Sequence, residues 1–143
     1  MKKLLGALGA AALGVGLITG VQLVSAHHSA TMFEHDKTVT IKGKVVELRW
    51  VNPHVSLTVK GLVGDNKVEE EWVMEMTSPG NLVRVGGWSR NVVKAGDDVT
   101  VDFSPHRDHS LLGGALKKVT VLSTGKFYTA NLRAQEMPDL EEK

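Results

Sequence analysis

Beyond residue 38 the apolar positions recur mostly at every second residue, the pattern of half-buried strands. Val39, Ile41 and Val45 share one phase, after which the apolar set switches to Val46, Leu48 and Trp50. A change of face within a strand requires a bulge or bend, and Gly43 is placed to allow it. The sequence therefore predicts one long bent first strand. Asn52-Pro53 makes a turn, and Val55, Leu57 and Val59 alternate along a second strand. Gly64-Asp65-Asn66 signals a hairpin into a third, with Val68, Glu70, Trp72, Met74 and Met76 on one side. Ser78-Pro79 starts a helix that Gly86-Gly87 stops, with Leu82, Val83 and Val85 as its apolar face. Val99, Val101 and Phe103 form a fourth strand and Leu116 to Leu122 a fifth, followed by a small hairpin through Phe127 and Tyr128.

Three strands, a short helix and two strands, with a bent first strand, is the chain order of an all-β, five-stranded OB-like barrel. A small β-sandwich is the rival, and the helix counts against it. The expected domain spans 38–129, and the last stretch, 130–143, reads as an acidic, disordered tail.

The start of the chain follows different rules. Met1-Lys2-Lys3 precede an uncharged run from Leu4 to Leu23 that ends in Val24-Ser25-Ala26. Charge, apolar stretch and small-residue site in that order predict a cleaved secretory signal over 1–26 and a periplasmic product. An uncleaved anchor is the rival, since a span needs roughly 20 apolar residues; the glycines and the clean site favour cleavage, leaving no stable membrane insertion. Without Lys2 and Lys3, fifteen basic face sixteen acidic side chains, which excludes an electrostatic case for nucleic-acid binding. No cysteine is present, so stability rests on packing without disulfides.

Candidate chemistry concentrates in the histidines. His27, His28 and His35 fall in a polar arm over 27–37, His54 opens the second strand, and His106 and His109 share the loop before the fifth. Cleavage after Ala26 makes His27 the first residue, whose amine and imidazole chelate one metal ion together. Cleavage one residue earlier puts His28 third, where amine, backbone amides and imidazole wrap a square-planar ion. Both geometries favour copper, with zinc or nickel as alternatives. The predicted ligand set is His27, His28, His35 and His54. Against it stand a solvated terminus that binds nothing and a His54 that only hydrogen-bonds its turn. His106 and His109 read as surface residues, Met74 and Met76 as core filling, and Glu69-Glu70-Glu71 as a solvated edge. Trp50 and Trp88 suit either a core or a binding face.

No nucleophilic cysteine, Gly-x-Ser-x-Gly elbow, phosphate loop or His-Glu-x-x-His motif occurs, so nothing argues for an enzyme. Ala26-His27-His28-Ser29, Trp50 to Val55, Thr77-Ser78-Pro79, Leu82, Arg84 and Gly87-Trp88 together resemble a family of small exported bacterial proteins of unknown function. Lys94, Gly96-Asp97, Arg107-Asp108 and Gly113 to Leu116 extend the likeness. It implies export and domain extent but no activity, and it favours the double histidine and the Asn-Pro-His turn as the site. Ser104 to His109 departs from that family's His-Pro-x-Arg-Asp-Gly run, which counts against the loop as a ligand. Two functions compete: a transition-metal protein using the arm, and a metal-free barrel that binds a small molecule, glycan or periplasmic protein, with Trp50, Trp72 or Trp88 supplying a stacking face.

Overall fold

A computed structural model describes residues 30–130. The expected leader, His27, His28 and the chain beyond 130 lie outside the described residues. Six strands and one α-helix follow in order: β1 (Val39–Arg49), β2 (Ser56–Val63), β3 (Glu70–Glu75), α1 (Pro79–Gly86), β4 (Asp98–Pro105), β5 (Gly113–Val121) and β6 (Phe127–Thr129). They form one sheet in the order β3-β2-β1-β4-β5-β6. A parallel pairing of Val73–Glu75 in β3 with Gly113–Ala115 in β5 closes β1 to β5 into a barrel. The OB-like all-β barrel with its helix between the third and fourth strands is thus the observed fold.

Closure depends on β1 serving two neighbours. From Ile41 to Arg49 it pairs with β2, and its first half, Val39 to Lys44, pairs with β4. The predicted change of face occurs, but not at Gly43. The ladder with β2 slips between Val45 and Glu47, which leaves Val46 as the extra residue and exposes it. Val45 before the bulge is buried, and Leu48 and Trp50 after it pack against the same core. Gly43 has another task. It faces Gly61 across the ladder, and a Cβ there would overlap the Lys60 carbonyl oxygen. Two facing glycines let β1 and β2 approach closely where the sheet coils.

Three other boundaries moved. Val68 is exposed and precedes β3, because irregular chain follows the Gly64-Asp65 turn as far as Glu69. On α1 only Leu82 is buried, while Val83 and Val85 face outward; a helix of two turns presents one residue to a barrel end. The fifth strand begins at Gly113, three residues early, since its first residues make the closing pair with β3. Gly113 adopts φ 151° and has no room for a Cβ against the Val73 carbonyl, so glycine is required there. Ala130 is buried and donates its N–H to the Lys117 carbonyl, so it belongs to the core and not to a tail.

The core runs from Ile41, Leu57 and Met74 through Val101, Phe103 and Val119. Strand directions define two mouths. One gathers the start of β1, the end of β2, the starts of β3 and β5 and the end of β4. The other lies where β3 ends and β4 begins, and α1 connects those two ends. There Ser78 caps α1 by accepting from Asn81 N–H at 3.4 Å, and Gly87 at φ 65° ends it. Leu82 and Trp88 then fill that mouth. Trp88 is core, which resolves its ambiguity in the sequence: its indole N–H donates to the Thr129 carbonyl at 2.8 Å, and its ring meets Tyr128 at 5.4 Å.

Candidate functional site

The other mouth is capped by the arm. A short 3-10 turn, Ala30–Met32, leads into Phe33, which is fully buried. Phe33 packs on Ala115, outside the main core, and its ring sits 4.7 Å from that of His106. His35 meets the Phe33 ring edge-on at 6.1 Å. Burying a phenyl ring stabilises by about 1.5–3 kcal/mol relative to leaving it in water, enough to hold a short segment. Phe33 also bridges His106 in an isolated antiparallel pair. Glu34 N–H donates to the Pro105 carbonyl, and Arg107 donates to the arm twice, from its N–H to Met32 O and from Nε to Thr31 O, each at 2.9 Å. At the arm's far end the Lys117 ammonium donates to Thr38 Oγ1 at 2.6 Å, to the Lys37 carbonyl at 2.7 Å and to the His35 carbonyl at 3.3 Å. All three ammonium protons are thereby used.

Under the arm lies a cavity of about 290 Å³, lined by Glu34, Lys37, Val39, Val63, Trp72, Pro105, His106, His109, Leu111 and Gly113. Val39, Val63 and Trp72 lie at the mouth-side ends of β1, β2 and β3, and all three pack against the core. The Trp72 ring rests on Phe103 at 5.7 Å. The floor is therefore apolar and rigid, whereas the rim is ionic. Glu34, with only 16% of its side chain exposed, accepts from Lys37 Nζ at 2.9 Å and pairs with His109 Nε2 at 3.0 Å. The His109 hydrogen bond first, then that of Lys37, hold the Glu34 carboxyl below its ordinary range against the opposing effect of desolvation. In the same loop Asp108 accepts from the hydroxyl and the N–H of Ser110, which lower its pKa as well. One buried polar atom beside the cap has no hydrogen-bond partner: Ser104 Oγ, on the residue opposite Ala115.

The predicted ligands are divided by this geometry. His35 lies in the arm, half-buried against Phe33. His54, also half-buried, follows the cis Asn52-Pro53 bond at the start of β2. Its neighbour Val55 exchanges hydrogen bonds with Met76 and Thr77, just ahead of α1. His54 is thus at the helix-filled mouth and His35 at the arm-capped one. His27 and His28 lie outside the described residues. Among the described residues, no group of three or more His, Cys, Asp or Glu side chains is arranged to hold a metal. His109 is exposed, as the sequence predicts, and His106 is half-buried; both also line the cavity, and Glu34 joins them. The signal that could have found this cap is Phe33, the one aromatic residue in the polar arm and so its natural anchor.

A match to the family of unknown function DUF6152 spans residues 16–115, and the chain belongs to that family. The matched span contains all six histidines. Searches of curated proteins and of solved structures find no match.

Proposed function

We propose that this member of the family is an exported, periplasmic transition-metal-binding protein, copper being favoured, that uses the histidines of its N-terminal arm and is not an enzyme. One observation supports the reading most: the arm is docked on the loop that carries His106 and His109. Backbone and guanidinium bonds fix Thr31 and Met32 against Arg107. Chain length alone keeps His28 within about 7 Å and His27 within about 11 Å of Ala30, at no more than roughly 3.6 Å per residue. The described segment that His27 and His28 directly precede in sequence is the one that docks at the mouth carrying His35 and His106. His54 belongs to the other mouth, so the imidazoles that complete the site come from His35 or His106. A first-residue histidine offers amine and ring nitrogen as one chelate, which lowers the entropic cost of gathering ligands. Export rests on the order of charge, apolar run and small residues over 1–26. Among the described residues no helix is long and apolar enough to cross a membrane.

The test uses periplasmic protein with its native start, whose mass shows whether it begins at His27. Copper(II) should bind at one tight equivalent, weakening as pH falls through about 6.5, since each ligand nitrogen must first lose its proton. One residue added before His27 should weaken binding strongly. Equal affinity of the native and extended proteins would end the metal reading.

A further inference from the structure

The cavity under the arm carries an inference independent of any metal. We infer that the arm-capped mouth is a binding site for a small organic anion with an aromatic or branched apolar body, a carboxylate above all. Barrel mouths are a recurrent place for ligand sites, and about 290 Å³ lies at the lower edge of their size range. Liquid water occupies about 30 Å³ per molecule, so the space suits a compact molecule and not a polymer. The floor selects the body. Val39, Val63 and Trp72 present apolar surface, and Trp72 is held by Phe103 beneath it, so a flat ring loses little freedom when it stacks there. Leu111, on the β4–β5 loop, is 46% exposed at the cavity's edge and gains burial when the space is filled.

The rim selects the charge. Glu34 is the rim's single carboxylate among the cavity-lining residues, and both its oxygens are engaged, one by Lys37 and the other by His109. The Lys37 ammonium already matches the Glu34 charge, so a cationic ligand would find no uncompensated carboxylate there. The donors are not exhausted. Lys37 uses one of three ammonium protons on Glu34, and the imidazole rings of His106 and His109 stand at the same rim. Asp108 stands in the same loop with its carboxylate turned to Ser110, and Arg107 is committed to the arm backbone. The rim therefore keeps unspent Lys37 donors beside carboxylates that already have partners, which suits an anion.

Three probes with one ring separate charge from shape: phenylacetate, phenylacetamide and phenethylamine. Each is titrated into metal-free full-length protein, following the amide signals of Val63 and Leu111 and the Trp72 indole N–H by NMR. Phenylacetate should shift these signals saturably, with a dissociation constant on the order of 1 mM or tighter. It should bind about tenfold more tightly than the amide, the usual worth of a charge-assisted hydrogen bond, with the amine weakest. Lys37→Gln should remove most of the preference for the anion over the amide, and Leu111→Glu, at an exposed position, should weaken the anion by about tenfold or more. Equal or tighter binding of the amide or amine overturns the inference. So does the absence of saturable shifts, or an anion preference unchanged in Lys37→Gln. Because the protein is metal-free, none of these results bears on copper.

Discussion

The two mouths of this barrel are closed by opposite means. At one, α1 delivers Leu82 and Trp88 into the core, and the indole N–H is satisfied by a backbone carbonyl. That end is apolar, filled and continuous with the main core. At the other, a segment from before the first strand lies across the opening, anchored by Phe33 on Ala115 as a separate small cluster. It leaves a cavity with an ionic rim. A barrel needs closure at both ends to exclude water from its core, but filling is the more stable solution. An end that stays hollow, with a half-buried carboxylate and two imidazoles around it, gives up stability that packing would supply. The contrast sets a packed α1 end against an arm end that keeps open space, the end at which binding is proposed.

Substitution at the two plugs breaks the comparison most directly. Trp88→Ala should produce the largest effect, a loss of about 3–5 kcal/mol in urea unfolding. The cavity it leaves is enclosed by α1 and β6, and the Thr129 carbonyl loses its donor. Phe33→Ala removes a side chain buried as fully, yet its global cost should be smaller, about 1–3 kcal/mol. The arm can detach while the barrel stays folded, because Phe33 touches the separate cluster and not the main core. Hydrogen exchange distinguishes the cases. Trp88→Ala should accelerate exchange throughout the barrel, whereas Phe33→Ala should do so chiefly over 31–38. Equal global losses, with uniform exchange in both variants, would make the arm part of one cooperative core and remove the distinction between the mouths.

The helix at one mouth was legible in the sequence, though not that Trp88 fills that mouth, and the arm at the other was not, for a physical reason. Ser78-Pro79, Leu82 and Gly86-Gly87 are local signals: cap, first-turn proline, apolar contact and stop all fall within ten residues. The switch of apolar phase in β1 likewise announced a bulge, though it misplaced it at Gly43, because a glycine marks close approach as readily as a bend. The arm site depends on pairings with no local pattern. Glu34 meets His109 across 75 positions, and Arg107 meets Thr31 across 76. A charged arm and a charged loop each read as solvated when taken alone. Periodicity likewise told His54 from His35 in sequence but not that they occupy opposite mouths. That follows from strand direction, which appears only once β1 pairs with both β2 and β4.

The smallest of these effects concerns the acid range and tests whether the rim, as well as Phe33, holds the arm. Glu34 is held below its ordinary value of 4.5 by His109 and then Lys37. Its folded pKa is the lower one, so its contribution is fully present above the unfolded value and is lost as pH falls through the folded value. Protonating Glu34 also removes the negative charge that joins His109 and Lys37. Protection of the amides over 33–38 should therefore fall between about pH 4.5 and the acid limit of folding, ahead of the barrel amides. Asp108 is lowered too, by Ser110, and its own loss falls in the same range. Glu34→Gln separates the two: it should weaken arm protection already at neutral pH and leave only the shallower dependence due to Asp108. An arm whose exchange keeps pace with the barrel at every pH, in both proteins, would show that Phe33 and the backbone, Arg107 and Lys117 bonds fasten it without Glu34, and that the rim charges are free to serve a ligand.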